Sequence, residues 1–90
     1  MKYIINNFDY DKRYDVLYLR FKESENSYGD EEENNIVWMK DINDDSVTGL
    51  TIIDFCKMCV EKDKRIIGLA NKIDIDSVTC ELKSILDKYI

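Results

Sequence analysis

The fold is decided by residues 36–54, which read IVWMKDINDDSVTGLTIID. This stretch opens with IVWM and ends with VTGLTII before a last Asp, and the β-branched and aromatic residues of both segments favour extended strands. Between them, residues 41–46 are Asp, Asn and Ser around a single Ile, a composition typical of turns. The stretch therefore predicts a β-hairpin, and Asp54 is predicted to cap a helix that begins directly after it.

Residues before the hairpin predict more strands. Residues 2–8 predict a first strand, residues 9–13 a polar turn, and residues 14–22 the clearest strand of the chain. Because side chains alternate between the two faces of a strand, three purely apolar residues of this last segment share one face and are the predicted core: Leu17, Leu19 and Phe21.

After Asp54 the apolar residues follow the spacing of a helix. Phe55 and Met58 fall on one helical face, and residues 61–65, which contain no apolar side chain, predict a break. Residues 64–70 predict a short helix, with a strand as the alternative.

The C-terminal residues predict a further helix, capped by Asp76 or Ser77. Its apolar side chains form a single stripe: Val78, Leu82, Ile85, Leu86 and Tyr89. A stripe of this kind needs a sheet or another helix to cover it. The order of elements predicts one α+β domain over residues 1–90, with an antiparallel sheet of four or five strands in residues 2–54 and two or three helices in residues 55–90 packed on one face.

Helices on one side leave the second face of the sheet uncovered. In the predicted registers this face carries six aromatic or aliphatic side chains: Tyr3, Ile5, Val16, Tyr18, Ile36 and Trp38. An uncovered face of this character predicts a partner, and the simplest partner is a second copy of the chain. We therefore expect a homodimer.

Charge is distributed unevenly along the chain. The formal net charge is −6, and it divides into −7 over residues 1–54 and +1 over residues 55–90. No cluster of Lys and Arg suits a phosphate backbone, so we expect no direct nucleic-acid binding and instead a protein partner with a basic surface. No apolar stretch is long enough to cross a bilayer, and three cysteines are too few for a disulfide framework, so we expect no membrane partner and a cytoplasmic location.

Residues 23–35 form the most acidic segment of the chain. They hold six carboxylates and no basic residue, and Ser, Asn and Gly between the carboxylates predict a flexible loop, with a short strand at residues 27–30 as the alternative. The simplest interpretation is a solvated linker, and the sharper hypothesis is a binding element for a basic protein surface. The residues of this hypothesis are Glu23, Glu25, Asp30, Glu31, Glu32 and Glu33.

Catalytic and metal chemistry have few candidates in this sequence. The chain has no histidine, which excludes triads and proton shuttles built on that residue. Cys56 and Cys59 form a C-x-x-C pair, but no βαβ unit precedes them, which disfavours a redox motif. A zinc site needs four ligands, and Cys80 would supply only a third. We expect Cys59 to pack in the core and Cys56 to be partly exposed, and we assign no catalytic residue, metal ligand or cofactor.

Two segments carry a family likeness. Residues 11–21, DKRYDVLYLRF, resemble the opening signature of the YuzE-like family, a "YD…D-(A/V)-L-Y-(I/L)" segment, and residues 46–55, SVTGLTIIDF, are similar to its second signature, "(V)-x-G-(I/L)-x-I-L-(D/N)". The likeness covers roughly residues 2–56. It implies a small bacterial α+β domain of unknown function, some members of which lie beside toxin-like genes as presumed antitoxins, and it implies no catalytic residue.

Three hypotheses of function follow from these observations. The first is a non-enzymatic, acidic protein-interaction module of the YuzE-like kind, with an antitoxin-like inhibitor of a partner protein as its specific form. The alternative is a phage or mobile-element anti-defence inhibitor, similar to an anti-CRISPR protein, that competes for a basic nucleic-acid-binding groove. The third is a thiol or metal-dependent enzyme that uses Cys56, Cys59 and carboxylates.

Overall fold

The computed structural model describes residues 2–89, apart from the side chain of Tyr89. The first part of the chain forms one antiparallel sheet in the order β1-β2-β5-β4-β3, which confirms the predicted α+β class. Its strands are β1 (Asn7–Asp11), β2 (Val16–Arg20), β3 (Ser27–Glu33), β4 (Ile36–Asp41) and β5 (Val47–Ile53). Strands β4 and β5 are the predicted hairpin, and β1 and β3 lie at the two edges of the sheet.

The rest of the chain forms short helices: α1 (Phe55–Val60), α2 (Lys64–Leu69), α3 (Ile75–Glu81) and α4 (Lys83–Leu86), followed by a 3₁₀ turn at Asp87–Tyr89. The short helix predicted in residues 64–70 is confirmed as α2, and the strand alternative is wrong. The last helix is not continuous as predicted, because it is interrupted at Leu82, and its cap is Asp74 rather than Asp76 or Ser77. No helix within residues 2–89 has the length and apolar character that crossing a bilayer requires.

The first strand starts later than predicted. Residues 2–6 lie outside the sheet, and the strand occupies Asn7–Asp11 instead of residues 2–8. Tyr3 forms an isolated parallel bridge with Ile73, with its amide 2.7 Å from the Lys72 carbonyl oxygen. This pairing holds the N-terminal segment beside the helices, because a backbone partner is available there.

One apolar core joins the sheet to the helices. Leu17, Leu19 and Phe21 are buried, as predicted. Leu17 and Leu19 lie on β2, and Phe21 follows its end. Strand β2 pairs with β5, and β5 pairs in turn with β4, so the residues opposite Leu17 and Leu19 share their face. The helices complete the core with these buried side chains: Phe55, Cys56, Met58, Ile66, Leu69, Ile75 and Val78.

The prediction of which residues lie on the uncovered face of the sheet is wrong for four of the six. Ile36 lies opposite Ile52 and Trp38 lies opposite Leu50, so both belong to the buried core and not to an uncovered face. Side chains alternate along a strand, so the face of β4 depends on its register against β5, which its own sequence does not specify.

The two N-terminal residues of that set lie on the helix side as well. Tyr3 stacks on Phe21 with 5.0 Å between ring centroids, and Ile5 packs against the core. Of the six predicted residues, Val16 and Tyr18 remain on the uncovered face. The register adds four neighbours to them, and we define the open face by the whole set: Val16, Tyr18, Val37, Met39, Thr51 and Ile53.

Residues 27–33 are a strand and not a loop. Strand β3 pairs with β4 from Ser27 opposite Asp41 to Glu33 opposite Ile36, with a bulge near Glu32. The short-strand alternative was therefore closer, and the strand extends through all four consecutive carboxylates. Asn34 and Asn35 form the turn to β4, and Asn35 has the positive φ of 72° that Asn tolerates better than most residues.

Candidate functional site

The two signature segments meet at Asp15. This residue lies in the turn between β1 and β2 with a φ of 55°, and its side chain is buried. Its carboxylate accepts hydrogen bonds from the Cys56 amide at 2.8 Å and the Lys57 amide at 3.1 Å, and its carbonyl oxygen accepts from the Phe55 amide at 3.0 Å. Asp15 therefore caps helix α1 from a distant part of the chain.

Asp54 does not have the role that the sequence predicts. It stands at the N-cap position of α1, but its φ of 60° is left-handed and its side chain makes no capping hydrogen bond. The carboxylate that satisfies the first free amides is that of Asp15, because the β1–β2 turn lies beside the start of α1. Sequence reasoning missed Asp15, and the only signal was its place in the first signature.

The thiols of the C-x-x-C pair are not activated. Cys56 is fully buried and donates its thiol hydrogen to the Tyr10 hydroxyl at 3.2 Å, while Cys59 is half-buried, the reverse of the predicted arrangement. Burial raises the pKa of Cys56 to about 11, although the hydrogen bond to Tyr10 opposes the rise. Burial also raises the pKa of Cys59 to about 12. Both thiols are therefore protonated near neutral pH, whereas redox and nucleophilic chemistry need the thiolate.

The Tyr10 hydroxyl links this thiol to the cap. It donates to the Asp15 carboxylate at 2.7 Å, so one chain of hydrogen bonds joins Cys56, Tyr10 and Asp15. All three groups are satisfied by one another or by the α1 amides, which makes the arrangement structural. Within residues 2–89 no three Cys, Asp or Glu side chains lie close enough together to hold a metal ion.

The edge strand β3 presents the acidic residues that the sequence singled out. We call Asp30, Glu31, Glu32 and Glu33 the acidic edge. Their one basic neighbour in this strand pair is Lys40, whose Nζ lies 2.7 Å from Asp30 and 3.6 Å from Glu32. The three glutamates are exposed, and Glu23 and Glu25 are exposed in the loop before the strand. The structure thus places four of the six predicted residues on one ordered strand and two beside it.

The β4–β5 turn extends this negative surface, which the sequence did not indicate. The Tyr28 hydroxyl of β3 donates to Asp45 at 2.7 Å, and the Ser24 hydroxyl donates to Asp41 at 2.8 Å. Hydrogen bonds from the Asn43 amide and from Ser24 lower the pKa of Asp41. The Ser46 hydroxyl and amide likewise lower the pKa of Asp44. Asp41 and Asp44 thus remain ionised to lower pH than free carboxylates.

A shallow groove of about 350 Å³ crosses the open face and is a second candidate surface. Its lining includes Gly49, Tyr18, Arg20 and Met39. A Cβ atom on Gly49 would lie 2.5 Å from the Leu19 carbonyl oxygen, so this position of the second signature admits no side chain. The glycine is therefore explained by packing, and no other feature of the groove indicates a ligand.

Comparison with known proteins identifies a family. The family model described as protein of unknown function (DUF2283) matches residues 7–55, which is β1 to the first residue of α1 and includes both signature segments. No curated protein and no solved structure matches the chain. Because the match spans more than half of the residues, the chain belongs to the DUF2283 family of proteins of unknown function.

Proposed function

We propose that this chain is a non-enzymatic protein-interaction module that binds a basic surface of a partner protein through the acidic edge. The observation that carries the proposal is the position of four consecutive carboxylates on an exposed edge strand. Among the described residues Lys40 is the one cation that forms ion pairs with them, and Arg65 adds an electrostatic attraction at Glu33. The specific form of this proposal is an antitoxin-like inhibitor of the kind that the resemblance to the YuzE-like family implies.

The order of the strand supports binding through these carboxylates. A flexible loop would lose conformational entropy when a partner fixed it, whereas β3 is already paired with β4 along its length. A dense patch of one sign also accelerates the encounter with an oppositely charged protein, and salt screens this attraction. The expected complex forms quickly and weakens as the salt concentration rises.

An inhibitor of a nucleic-acid-binding protein is the second candidate function. A β-strand rises about 3.3 Å per residue, and each strand of duplex DNA carries one phosphate per about 3.4 Å along the axis. Asp30 to Glu33 therefore repeat negative charge at a similar interval, although alternate side chains project to opposite faces. This similarity favours a phage or mobile-element anti-defence role, in which the acidic edge competes for a basic groove.

Other expectations remain part of the proposal. We infer no direct contact with nucleic acid or membrane, a cytoplasmic location and no cofactor. A homodimer would now use the open face around Val16 and Tyr18 without Ile36 and Trp38. The thiol enzyme is the weakest alternative, because the raised pKa values of Cys56 and Cys59 oppose it.

The test is capture of a partner from the native host with the full chain as bait, at low and at high salt. A second bait, the edge bait, carries E31Q, E32Q and E33Q together, which remove three negative charges and keep the side chains at nearly the same shape. Its control bait carries E61Q, E81Q and D87N, which make the same change in net charge on exposed positions of the helical half.

We expect one specific partner with a basic surface to be retained by the original and control baits and lost by the edge bait. Salt-sensitive retention of a nucleic-acid-binding protein would select the anti-defence form, and salt-sensitive retention of a basic protein that binds no nucleic acid would select the antitoxin-like form. Salt-insensitive retention through apolar contacts would contradict binding through the acidic edge. Equal retention by all three baits would remove the acidic edge from the proposal. Retention of no partner by any bait would contradict the interaction module itself.

A further inference from the structure

The outer edge of β3 has backbone groups that no described residue pairs with. The Ile42 amide donates to the Asn26 carbonyl oxygen, and opposed residues of an antiparallel pair alternate between bonded and non-bonded positions. Following the register from there, Ser27, Gly29 and Glu31 occupy the non-bonded positions opposite β4. Their N–H and C=O groups therefore point away from the sheet, toward the free edge.

The charge and composition of this edge limit which strand could pair with it. Strand β3 contains no proline, and Gly29 leaves its centre without a side chain, because a Cβ atom there would lie 2.9 Å from a Val37 methyl carbon. Pairing with β3 of a second copy would bring the acidic edges of both copies together, and like charges on adjacent strands repel. Charge therefore opposes self-pairing and favours a segment rich in Lys and Arg.

The opposite edge of the sheet is a poorer template. Strand β1 is shorter, and it carries Asp9 and Asp11 as its only carboxylates. Asp11 is already engaged by the Arg13 and Tyr14 amides of the next turn. Charge complementarity thus distinguishes the two edges and selects β3.

We propose that the partner of this chain supplies an extended Lys- and Arg-rich segment that pairs with the free edge of β3 as a sixth strand. Main-chain hydrogen bonds to Ser27, Gly29 and Glu31 would supply register, and the acidic edge would select the side chains. This inference rests on the proposed function and specifies the chemistry of the partner segment at the same site.

The test uses the full chain and two synthetic peptides. The first peptide has ten residues of alternating Arg and Thr with capped ends. The second has the same sequence but is N-methylated at two adjacent central residues. Successive N–H groups of an extended peptide point to opposite sides, so each side loses one donor and gains a methyl group, and the charge is unchanged. Affinity is measured by titration at low salt, and amide hydrogen exchange is followed by NMR.

We expect the unmethylated peptide to bind at least about tenfold more tightly than the methylated one, the loss that one to two hydrogen bonds produce. We also expect the amides of Ser27, Gly29 and Glu31 to exchange more slowly in the complex. E31Q, E32Q and E33Q together should weaken both peptides, and the E61Q, E81Q and D87N control should not.

Equal affinity of the two peptides without protection of these amides would overturn strand pairing and leave charge-driven binding, and thus the proposed function, intact. Protection of the β1 amides in place of those of β3 would overturn the assignment of the edge. Binding of neither peptide would also overturn the inference, while capture of a basic partner from the host would still support the proposed function.

Discussion

Asp15 and the carboxylates of the acidic edge are the same chemical group in two opposite situations. Asp15 is buried, and its carboxylate accepts three hydrogen bonds, two of them from the Cys56 and Lys57 amides of α1. Glu31, Glu32 and Glu33 are exposed, and within the described chain Glu31 binds one turn amide, Glu32 shares a lysine and Glu33 attracts the Arg65 guanidinium. The carboxylate of the first signature segment is thus used within the fold, whereas the three edge glutamates have few polar contacts within the described chain, which is why we propose them as the binding group.

The largest effect is expected from removing the buried carboxylate. Asp15→Ala leaves the Cys56 and Lys57 amides without a hydrogen-bond acceptor. It also places alanine at a φ of 55°, a backbone conformation that Asp and Asn adopt more readily. We expect a loss of roughly 3 kcal/mol in the free energy of unfolding, measured by urea denaturation. Asp15→Asn, which keeps one acceptor oxygen and tolerates this backbone conformation, should lose about half as much.

Asp9→Ala is the matched control for that measurement. Asp9 is exposed on the neighbouring strand β1, so its replacement should change stability by less than about 0.5 kcal/mol. An Asp15→Ala variant as stable as this control would show that the cap does not hold α1 and would end the contrast between the two groups of carboxylates.

A smaller effect is expected from the hydroxyl that joins the cap to the buried thiol. Tyr10→Phe removes the hydrogen bond to Asp15 and the acceptor of the Cys56 thiol, and it keeps the ring that packs edge-on against Phe55. We expect a loss of about 1 kcal/mol in the free energy of unfolding. Alkylation of Cys56 should remain slow at neutral pH, because the lost hydrogen bond is one that lowers its pKa. Faster alkylation in this variant would contradict a purely structural role.

The parts of the fold that could be predicted are those with a local signal. The β4–β5 hairpin and the core face of β2 follow from alternation and turn composition, which act within a few residues. Strand β3 has only a weak signal at residues 27–30 and none at 31–33, because Asp and Glu have low strand propensity. Its pairing with β4 and the Lys40 contact override that preference. The acidic residues could therefore be chosen from the sequence but not placed on a strand.

The cap at Asp15 could not be predicted for a different reason. It joins residues 41 positions apart, and only the closure of β1 and β2 against β5 brings the turn to the start of α1. The faces of β4 likewise depend on a register that its own sequence does not contain. Ile36 and Trp38 were therefore assigned to the wrong face, although their apolar character was clear.

Acid should act on stability through Asp63, the carboxylate that caps α2. The Arg65 side chain and the Arg65 amide, both bonded to Asp63, hold the pKa of this α2 cap well below its ordinary value. Because the folded chain binds this proton less readily than the unfolded chain, the stabilisation is present above about pH 4 and is lost as the pH falls toward the folded pKa. Asp63→Asn should therefore show a smaller fall of the urea midpoint between pH 5 and pH 2 than the original chain. Identical falls would place the acid sensitivity elsewhere.

The smallest effect on stability is expected at the acidic edge. E31Q, E32Q and E33Q together remove like charges from one exposed strand, and a glutamine side chain can still accept from the Asn35 amide that Glu31 binds. Lys40 keeps its closer partner Asp30, so the free energy of unfolding should change by less than about 0.5 kcal/mol. The E61Q, E81Q and D87N variant, measured in the same urea titration, separates this result from a general effect of net charge. A loss above about 2 kcal/mol in the edge variant alone would mean that these carboxylates hold β3 in place, and the reason for assigning them to a partner would then disappear.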